Sequence, residues 1–341
     1  MPTFFVSYRK FRPIVEGLQA CGYSVLEDVW NPRAAELADC DGYLICMYDA
    51  MKRPWDTVRL KARLRARNIP LLGWNRDAPW NKGAKRHRLW WFRQFRVLDV
   101  YAAHSLQGAS SFSDTIIYLP NAAWMSAYGL AEHSLAEMRH PDFYRYDVSF
   151  MGNLDQANFP EFTARAEFFQ ELESRLRTNG LHCRFQNSRG VPIAEQVEVI
   201  QRSRININFG AACDDGPAKS WGLPERCYGV PACGGFLLSD ERRHAAVDFV
   251  PRLEWASFGD IDECVKKICF YLSNLHLARD IAERAHHRVL HEHTYVHRAA
   301  TLVDVARQWR AVRGVNLAAL KLPVTARRAV TAINVDETSV R

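Results

Sequence analysis

Short apolar segments typical of β-strands alternate with helix-compatible segments along most of this chain, and this rhythm constrains the fold most. Between the first four predicted strands, each helix-compatible segment is about ten residues long. A β-α-β alternation of this kind predicts a parallel sheet with helices on both faces. The strands of this first series are predicted at residues 3–8, 23–30, 43–48, 69–74, 97–102 and 115–119.

A second series follows an irregular stretch at residues 123–146, which we interpret as the connection between two domains. Residues 260–311 are predicted to be helical almost throughout, with breaks at Ser273-Asn274 and His293-Thr294. The chain is therefore predicted to be an α/β protein with two doubly wound domains followed by C-terminal helices. The second series comprises predicted strands 147–152, 181–186, 204–209 and 235–239 and predicted helices 161–178, 193–202 and 223–232.

The composition is that of an ordinary soluble globular protein, with 48% hydrophobic and 24% charged residues in 341. No apolar run reaches the ~18 residues of a membrane-spanning helix, and the N-terminus lacks the cleavage site of a signal peptide. Nine cysteines without a CxxC pair indicate reduced thiols. We therefore expect a cytoplasmic protein, with peripheral attachment to the inner face of the membrane as an alternative.

A glycine pair, Gly234-Gly235, joins the predicted helix 223–232 to the next strand. Paired glycines let the backbone turn tightly and approach a ligand closely. The surrounding block LPERCYGVPACGGFLLS, together with DVSFMGNL (147–154) and RININFG (204–210), resembles the GT-B glycosyltransferases related to spore maturation protein CgeB and the group 1 glycosyl transferases. One departure from that family is visible, because Gly229 stands where the family usually has a glutamate.

The resemblance implies a GT-B fold, in which two Rossmann-like doubly wound domains are followed by helices that cross back to the first domain. Residues 1–122, joined by 312–341, would then form the acceptor domain, and residues 147–311 would bind the donor. The implied activity is transfer of a sugar from a nucleotide-sugar to an acceptor such as a glycan, a lipid-linked glycan or a cell-envelope polymer. Transfer would be retaining and independent of metal, with no cofactor, because the nucleotide-sugar is a substrate.

The resemblance also indicates which residues would bind the donor. Backbone amides of Gly152 and Asn153 would face a phosphate at the end of a strand. The cations Arg165, Lys219 and Arg226 would neutralise the leaving diphosphate. The pair Gly234-Gly235 would form the floor of the donor site.

A carboxylate for the nucleotide ribose is harder to place. Retaining GT-B enzymes often carry two glutamates eight positions apart, and the corresponding positions here are Trp221 and Gly229. Glu225 lies one helical turn before Gly229 and hence on about the same helix face. We therefore predict that Glu225 contacts the ribose hydroxyls instead.

On the acceptor side, Asp77 follows a predicted strand and matches loosely a family loop, where its carboxylate would orient an acceptor hydroxyl. His104, after strand 97–102, is the second predicted catalytic residue. The histidines 286, 287, 291, 293 and 297 include pairs spaced by four, a spacing found in zinc sites. No HExxH motif or clustered carboxylate accompanies them, so we predict no metal site.

Residues 52–96 contain fourteen Lys and Arg, two acids and five of the ten tryptophans. Three interpretations are open: a solvated face, a surface for anionic lipid, or a surface for nucleic acid. The last would suit a DNA glycosyltransferase acting on modified bases, which is one alternative function. The other alternative is an inactive GT-B domain that serves as a binding or scaffold protein.

Overall fold

The computed structural model describes residues 1–8, 11–76, 86–106, 108–210 and 222–312. It divides the chain into two compact units, one of Met1–Pro120 with Tyr295–Arg341 and one of Asn121–Thr294. Each unit contains a parallel sheet covered by helices, so the predicted pair of doubly wound α/β domains is confirmed.

The sheet of the first unit has six parallel strands in the order β2-β1-β3-β4-β5-β6. Strands β1, β3, β4 and β5 are buried on both faces, as is typical of parallel sheets, whereas the edge strand β2 is partly exposed. Phe5 stacks on Tyr43 with ring centroids 5.5 Å apart. The elements are β1 Thr3–Ser7, α1 Arg12–Ala20, β2 Ser24–Glu27, β3 Cys40–Cys46, α2 Met47–Lys52, α3 Pro54–Arg65, β4 Leu71–Asn75, α4 Arg86–Phe95, β5 Val100–Ala103 and β6 Ile116–Tyr118.

The helix predicted between strands 23–30 and 43–48 is wrong, because residues 28–39, which join β2 to β3, contain no helix. The stretch runs through successive short turns, in which Glu36 N donates to Arg33 O and Ala38 N to Ala35 O. Asp28 has a positive φ of 56°, and Pro32 follows closely. Both features oppose continuous helical backbone in so short a connection.

The sheet of the second unit has five parallel strands in the order β11-β10-β9-β7-β8. In the same unit, the predicted boundaries between consecutive helices at Asn274 and His293-Thr294 are confirmed. The elements are β7 Tyr146–Gly152, α5 Thr163–Thr178, β8 Cys183–Asn187, α6 Ile193–Gln201, β9 Ser203–Asn208, α7 Arg226–Ala232, β10 Leu237–Asp240, α8 Ala245–Asp248, β11 Ala256–Phe258, α9 Ile261–Ser273 and α10 Leu275–Glu292.

The last described helix, α11 (Tyr295–Ala311), returns to the first unit, as predicted for the C-terminal helices. It packs on α1, where a Cβ added to Gly17 would lie 2.5 Å from the Tyr295 carbonyl oxygen. The Tyr295 ring also meets Phe11 edge-on at 5.1 Å. The second unit therefore ends at Thr294, before the predicted limit of residue 311.

The predicted connection 123–146 belongs to the second unit. Ala123 N donates to His293 O at 2.8 Å, which ties the start of this stretch to the end of α10. Its residue Met138 is fully buried, and Tyr128 packs against a core cluster of the unit. Packing of these side chains makes the stretch part of a domain instead of a linker.

Within the described residues, no helix is both long and apolar enough to cross a bilayer.

Candidate functional site

A cavity of about 340 Å³ opens in the second unit at the carboxyl ends of β7 and β8, beside the first turns of α7. Ligands of parallel α/β sheets bind beyond the carboxyl ends of the strands, where loops and helix N-termini converge. We call this space the α7 cavity. Its lining residues are Trp124, Tyr128, Met151, Ser188, Gln196, Ile200, Glu225, Arg226, Gly229 and Val230.

Arg226, the first residue of α7, is half-buried in the wall of this cavity. Its Nε donates to the Met151 carbonyl at 2.9 Å, and its Nη1 donates to Asn208 Oδ1 at 2.8 Å. The guanidinium lies 4.4 Å from the ring centroid of Phe150. Burial lowers the pKa of Arg226 to about 10, so the side chain is still a cation at neutral pH.

The partner of Arg226 is itself fixed by a buried polar network. Asn208 Nδ2 donates to Ser239 Oγ at 3.0 Å and to Asp240 Oδ1 at 2.9 Å. Asp240 in turn pairs with the buried Arg242 at 3.0 Å. Because each side chain is held by the next, the guanidinium of Arg226 is oriented before any ligand arrives. Two of its five N–H groups meet protein acceptors among the described residues, which leaves donors for an anion.

Tyr128 covers the position at which the family glutamate is missing. A Cβ added to Gly229 would lie 3.9 Å from the Tyr128 ring, which is ordinary van der Waals contact. The Tyr128 hydroxyl donates to Gln196 Oε1 at 3.3 Å. Burial and the nearby Glu225 carboxylate raise the pKa of Tyr128. Glu225 and this tyrosine therefore share the cavity wall beside Gly229.

Residues 135–304 match the family model described as glycosyl transferase-like. The chain belongs to this glycosyltransferase family. No curated protein matches the chain at a significant level.

Solved structures similar to this glycosyltransferase include sucrose-phosphate synthase from Thermosynechococcus elongatus, with a TM-score of 0.58 and 12% identity over 91% of this chain and 99% of that one. A glycosyltransferase from Rickettsia africae reaches 0.58 with 10% identity over 90% and 98%. Anabaena HepE in complex with UDP reaches 0.55 with 11% identity over 89% and 99%. At these identities the likeness concerns the fold, which is GT-B.

Two predicted donor residues of the glycosyltransferase, Glu225 and Arg226, line the α7 cavity together. Gly152 lies directly behind Arg226, where an added Cβ would come within 2.1 Å of Nη2. Asn153 follows in the loop after β7 and accepts a hydrogen bond from Asp155 N at its Oδ1. The structure thus brings four of the predicted residues to one edge of the sheet.

Arg165 is placed differently from the prediction of a cation facing the donor. Only 6% of the residue is exposed, and its Nε donates to the Phe209 carbonyl at 2.9 Å. Its Nη1 donates to the Asn153 carbonyl at 3.3 Å, so the side chain ties the ends of β7 and β9 together. It is not among the residues that line the α7 cavity.

Gly234 and Gly235 are also not among the residues that line the α7 cavity. Gly234 has a φ of +75°, and its added Cβ would lie 2.9 Å from Leu130 Cδ2. An added Cβ on Gly235 would meet Asn206, Ile200 and Val230 at 3.0 Å. Neighbouring side chains thus fill the space on the Cβ side of both residues, which gives the glycine pair a packing role at the end of α7.

The predicted acceptor-side residue His104 follows β5 in the first unit and is 2% exposed. Asp77 and Lys219 lie outside the described residues. Of the histidine group, His286 contacts the Pro231 carbonyl through Nδ1 and His293 contacts the Asp248 carbonyl through Nε2. Among the described residues, no group of three His, Cys, Asp or Glu side chains has the geometry of a metal site.

The aromatic wall of the cavity, formed by Trp124 and Tyr128, was not predicted from the sequence. Both come from the stretch interpreted as a connection, and Tyr128 N donates to Trp124 O in a turn at 2.8 Å. The signal available in the sequence was the density of aromatic residues in this stretch, which a solvent-exposed linker does not need.

Proposed function

We propose that this protein transfers a sugar from a nucleotide-sugar, bound in the α7 cavity, to a hydroxyl-bearing acceptor. The observation that carries this proposal is Arg226, a pre-oriented and half-buried cation in the wall of a cavity that also contains Glu225 and two aromatic side chains. A diphosphate needs cationic donors, a ribose needs hydrogen-bond acceptors, and a nucleobase needs flat apolar contacts.

The volume of the cavity and a solved structure with the same fold support a nucleotide ligand. Its volume of about 340 Å³ falls within the usual range of roughly 300–1,000 Å³ for small-molecule sites. Anabaena HepE, which shares the fold, is described in complex with UDP. In this chain we assign the ribose to Glu225 and the base to the surface formed by Trp124 and Tyr128.

In the transfer, the bond between the anomeric carbon and the diphosphate oxygen breaks, and a bond to the acceptor oxygen forms while that oxygen loses its proton. Negative charge then builds up on the leaving nucleoside diphosphate. Arg226 is placed to stabilise this charge, and it needs no reorientation at that moment. We assign Lys219 and the amides of Gly152 and Asn153 to the same anion.

Arg165 is proposed to act as a positioning residue, since it holds the carbonyl of Asn153 through Nη1. On the acceptor side, Asp77 and His104 are proposed to orient the acceptor and receive its proton. We further propose retention at the anomeric carbon and independence of metal. The coupling constant of the anomeric proton of the product, measured by NMR, tests retention. Activity after treatment with EDTA tests independence of metal.

The decisive experiment is a thermal-shift screen of the full chain against UDP-, GDP-, ADP- and dTDP-sugars. A ligand at 100 times its Kd stabilises the folded state by about 2.7 kcal/mol, which moves the unfolding temperature by several degrees. Arg226→Ala should abolish the shift, and Arg226→Lys should restore part of it, because lysine keeps the charge but not the bidentate geometry.

A matched control is Arg202→Ala in the same unit. Arg202 also donates to a backbone carbonyl, that of Phe143 at 2.9 Å, and lies 4.1 Å from an aromatic ring, but it does not line the α7 cavity. The control should therefore leave the ligand-induced shift unchanged. If no nucleotide-sugar stabilises the wild-type protein, the donor proposal is wrong and a non-catalytic binding function is favoured.

A further inference from the structure

Helix α3 presents a tryptophan on the side opposite to its buried residues. Leu60 and Leu64 are fully buried, whereas Trp55 is 67% exposed. Trp55 and Leu64 are nine positions apart, which is two and a half helical turns, so they lie on opposite sides. Arg59, one turn after Trp55, also points outward, with 76% of its side chain exposed. The outer side of α3 therefore combines an aromatic ring with a cation.

Helix α4 repeats this combination. Its buried residues are Leu89 and Phe92, while Trp90 is 61% exposed and Phe95 is 59% exposed. Arg86 and Arg93 stand four positions before and three positions after Trp90, which places all three on one side of the helix. Trp90 is thus flanked by arginines as well, whereas Phe95, five positions further along, lies about 140° around the helix from it.

Ring contacts join the two helices into one surface. Trp55 meets Trp91 edge-on with centroids 6.1 Å apart, and Trp91 packs against Phe95 at 4.9 Å. We call the outer surface of α3 and α4 the aromatic-basic face, defined by Trp55, Trp90, Phe95, Arg59, Arg86 and Arg93. Contiguous exposed apolar groups of this kind mark interaction sites in soluble proteins.

The charge of the segment restricts the partner to an anionic one. Residues 52–96 carry fourteen cations against two acids, and Asp56 lies beside Arg59 at 3.7 Å. A second copy of the same face would bring two strongly positive surfaces together, which like-charge repulsion opposes. Nucleic acid and anionic lipid have the required charge.

The ring geometry favours lipid. Proteins that hold single strands offer aromatic faces as stacking platforms along a groove. Here Trp91 packs against the buried Phe92 at 5.2 Å and against the exposed Phe95 at 4.9 Å, so the three rings form one compact cluster that extends from the core to the surface of α4. Tryptophan and phenylalanine beside arginine are typical of helices that lie in the interfacial region of a membrane.

We propose that the aromatic-basic face docks this protein on an anionic phospholipid surface. The rings of Trp55, Trp90 and Phe95 enter the boundary between headgroups and acyl chains, and Arg59, Arg86 and Arg93 bind lipid phosphates. This proposal does not depend on the donor site, because both helices belong to the first unit and the α7 cavity to the second.

The test is flotation of the full chain with vesicles of phosphatidylcholine alone or with 30% phosphatidylglycerol, at 0.1 M and 0.5 M salt. Wild-type protein should bind the anionic vesicles at least ten-fold more tightly, and high salt should weaken binding. The double variant Arg59→Gln/Arg93→Gln should lower the affinity about ten-fold or more. Trp55→Ala/Trp90→Ala should weaken binding to a similar extent.

Phe270→Ala is the matched control, because Phe270 is 50% exposed on α9 of the second unit. It should bind vesicles as the wild type does, and so should Arg226→Ala, which separates this proposal from the donor proposal. Unfolding curves establish that each variant is folded, and single Trp90→Ala replaces the double variant if that one does not fold. Absence of vesicle binding, or binding to single-stranded DNA alone, would overturn the proposal.

Discussion

The guanidinium of Arg226 lies directly over Gly152, so that a Cβ at position 152 would come within 2.1 Å of Nη2 and 3.0 Å of Cζ. The cation that faces the α7 cavity therefore needs a glycine behind it. The sequence predicted that glycine at the end of β7 exposes backbone amides to a phosphate. The structure shows that this glycine also leaves room for the guanidinium of Arg226.

Gly152→Ala should weaken nucleotide-sugar binding at least ten-fold, because the new methyl group displaces the guanidinium from Met151 and Asn208. Isothermal titration with a donor that stabilises the wild type measures this effect. Gly259→Ala is the control, since its Cβ meets Glu263 Oε2 at 3.4 Å and can be accommodated. Unchanged donor affinity in Gly152→Ala would show that the position of Arg226 does not matter for binding.

Glu225→Gln should weaken donor binding about ten-fold or more, since hydrogen bonds to a charged acceptor contribute roughly 1.5–3 kcal/mol. A donor that lacks both ribose hydroxyls should bind the wild type and the variant equally. Titration of both ligands therefore isolates the ribose contact, and Glu241→Gln, at an exposed position, serves as control. Equal loss with both ligands would argue against the ribose assignment.

Gly229 and Gly234 should respond to alanine in opposite ways. At Gly229, in helix α7, a Cβ finds ordinary contact at 3.9 Å, and alanine favours helix by about 1 kcal/mol over glycine. Gly229→Ala should therefore keep or raise the free energy of unfolding. Gly234→Ala should lower it by about 1–3 kcal/mol, because φ is +75° and Leu130 is 2.9 Å away. Urea denaturation measures both, and equal effects would contradict this difference.

Stability should fall in mild acid because of His244. Burial lowers the pKa of His244 from 6.5 to about 4, so the unfolded chain binds a proton in this window that the folded chain does not. The free energy of unfolding should then decrease as pH falls from 6.5 to 4, by up to about 3 kcal/mol. Urea denaturation at several pH values in this range measures the slope.

His244→Gln should flatten this pH dependence without abolishing it, since burial also lowers the pKa of His286. The exposed His87 offers a control variant, His87→Gln, which should retain the wild-type slope. A slope unchanged in His244→Gln would mean that other groups account for the acid sensitivity.

Local pattern in the sequence was sufficient for ten of the eleven described strands, all except β11 (Ala256–Phe258), and for the breaks around α10. Apolar strands such as Tyr146–Gly152 are buried on both faces, and a break such as Asn274 depends on a few neighbouring residues. The prediction of a helix between strands 23–30 and 43–48 was wrong because the chain turns at Asp28, whose positive φ a helix-compatible composition does not reveal.

The sequence by itself determined the fold class, the family and the cation at the start of α7, because each depends on short motifs and periodicity. Only the tertiary structure decided that Trp124 and Tyr128 line the same cavity as Arg226, about one hundred residues further along the chain, and that Gly234 packs against Leu130. It also assigned α11 to the first unit, through the contact of Tyr295 with Phe11. Such contacts join residues far apart in the chain, and local pattern carries no information about them.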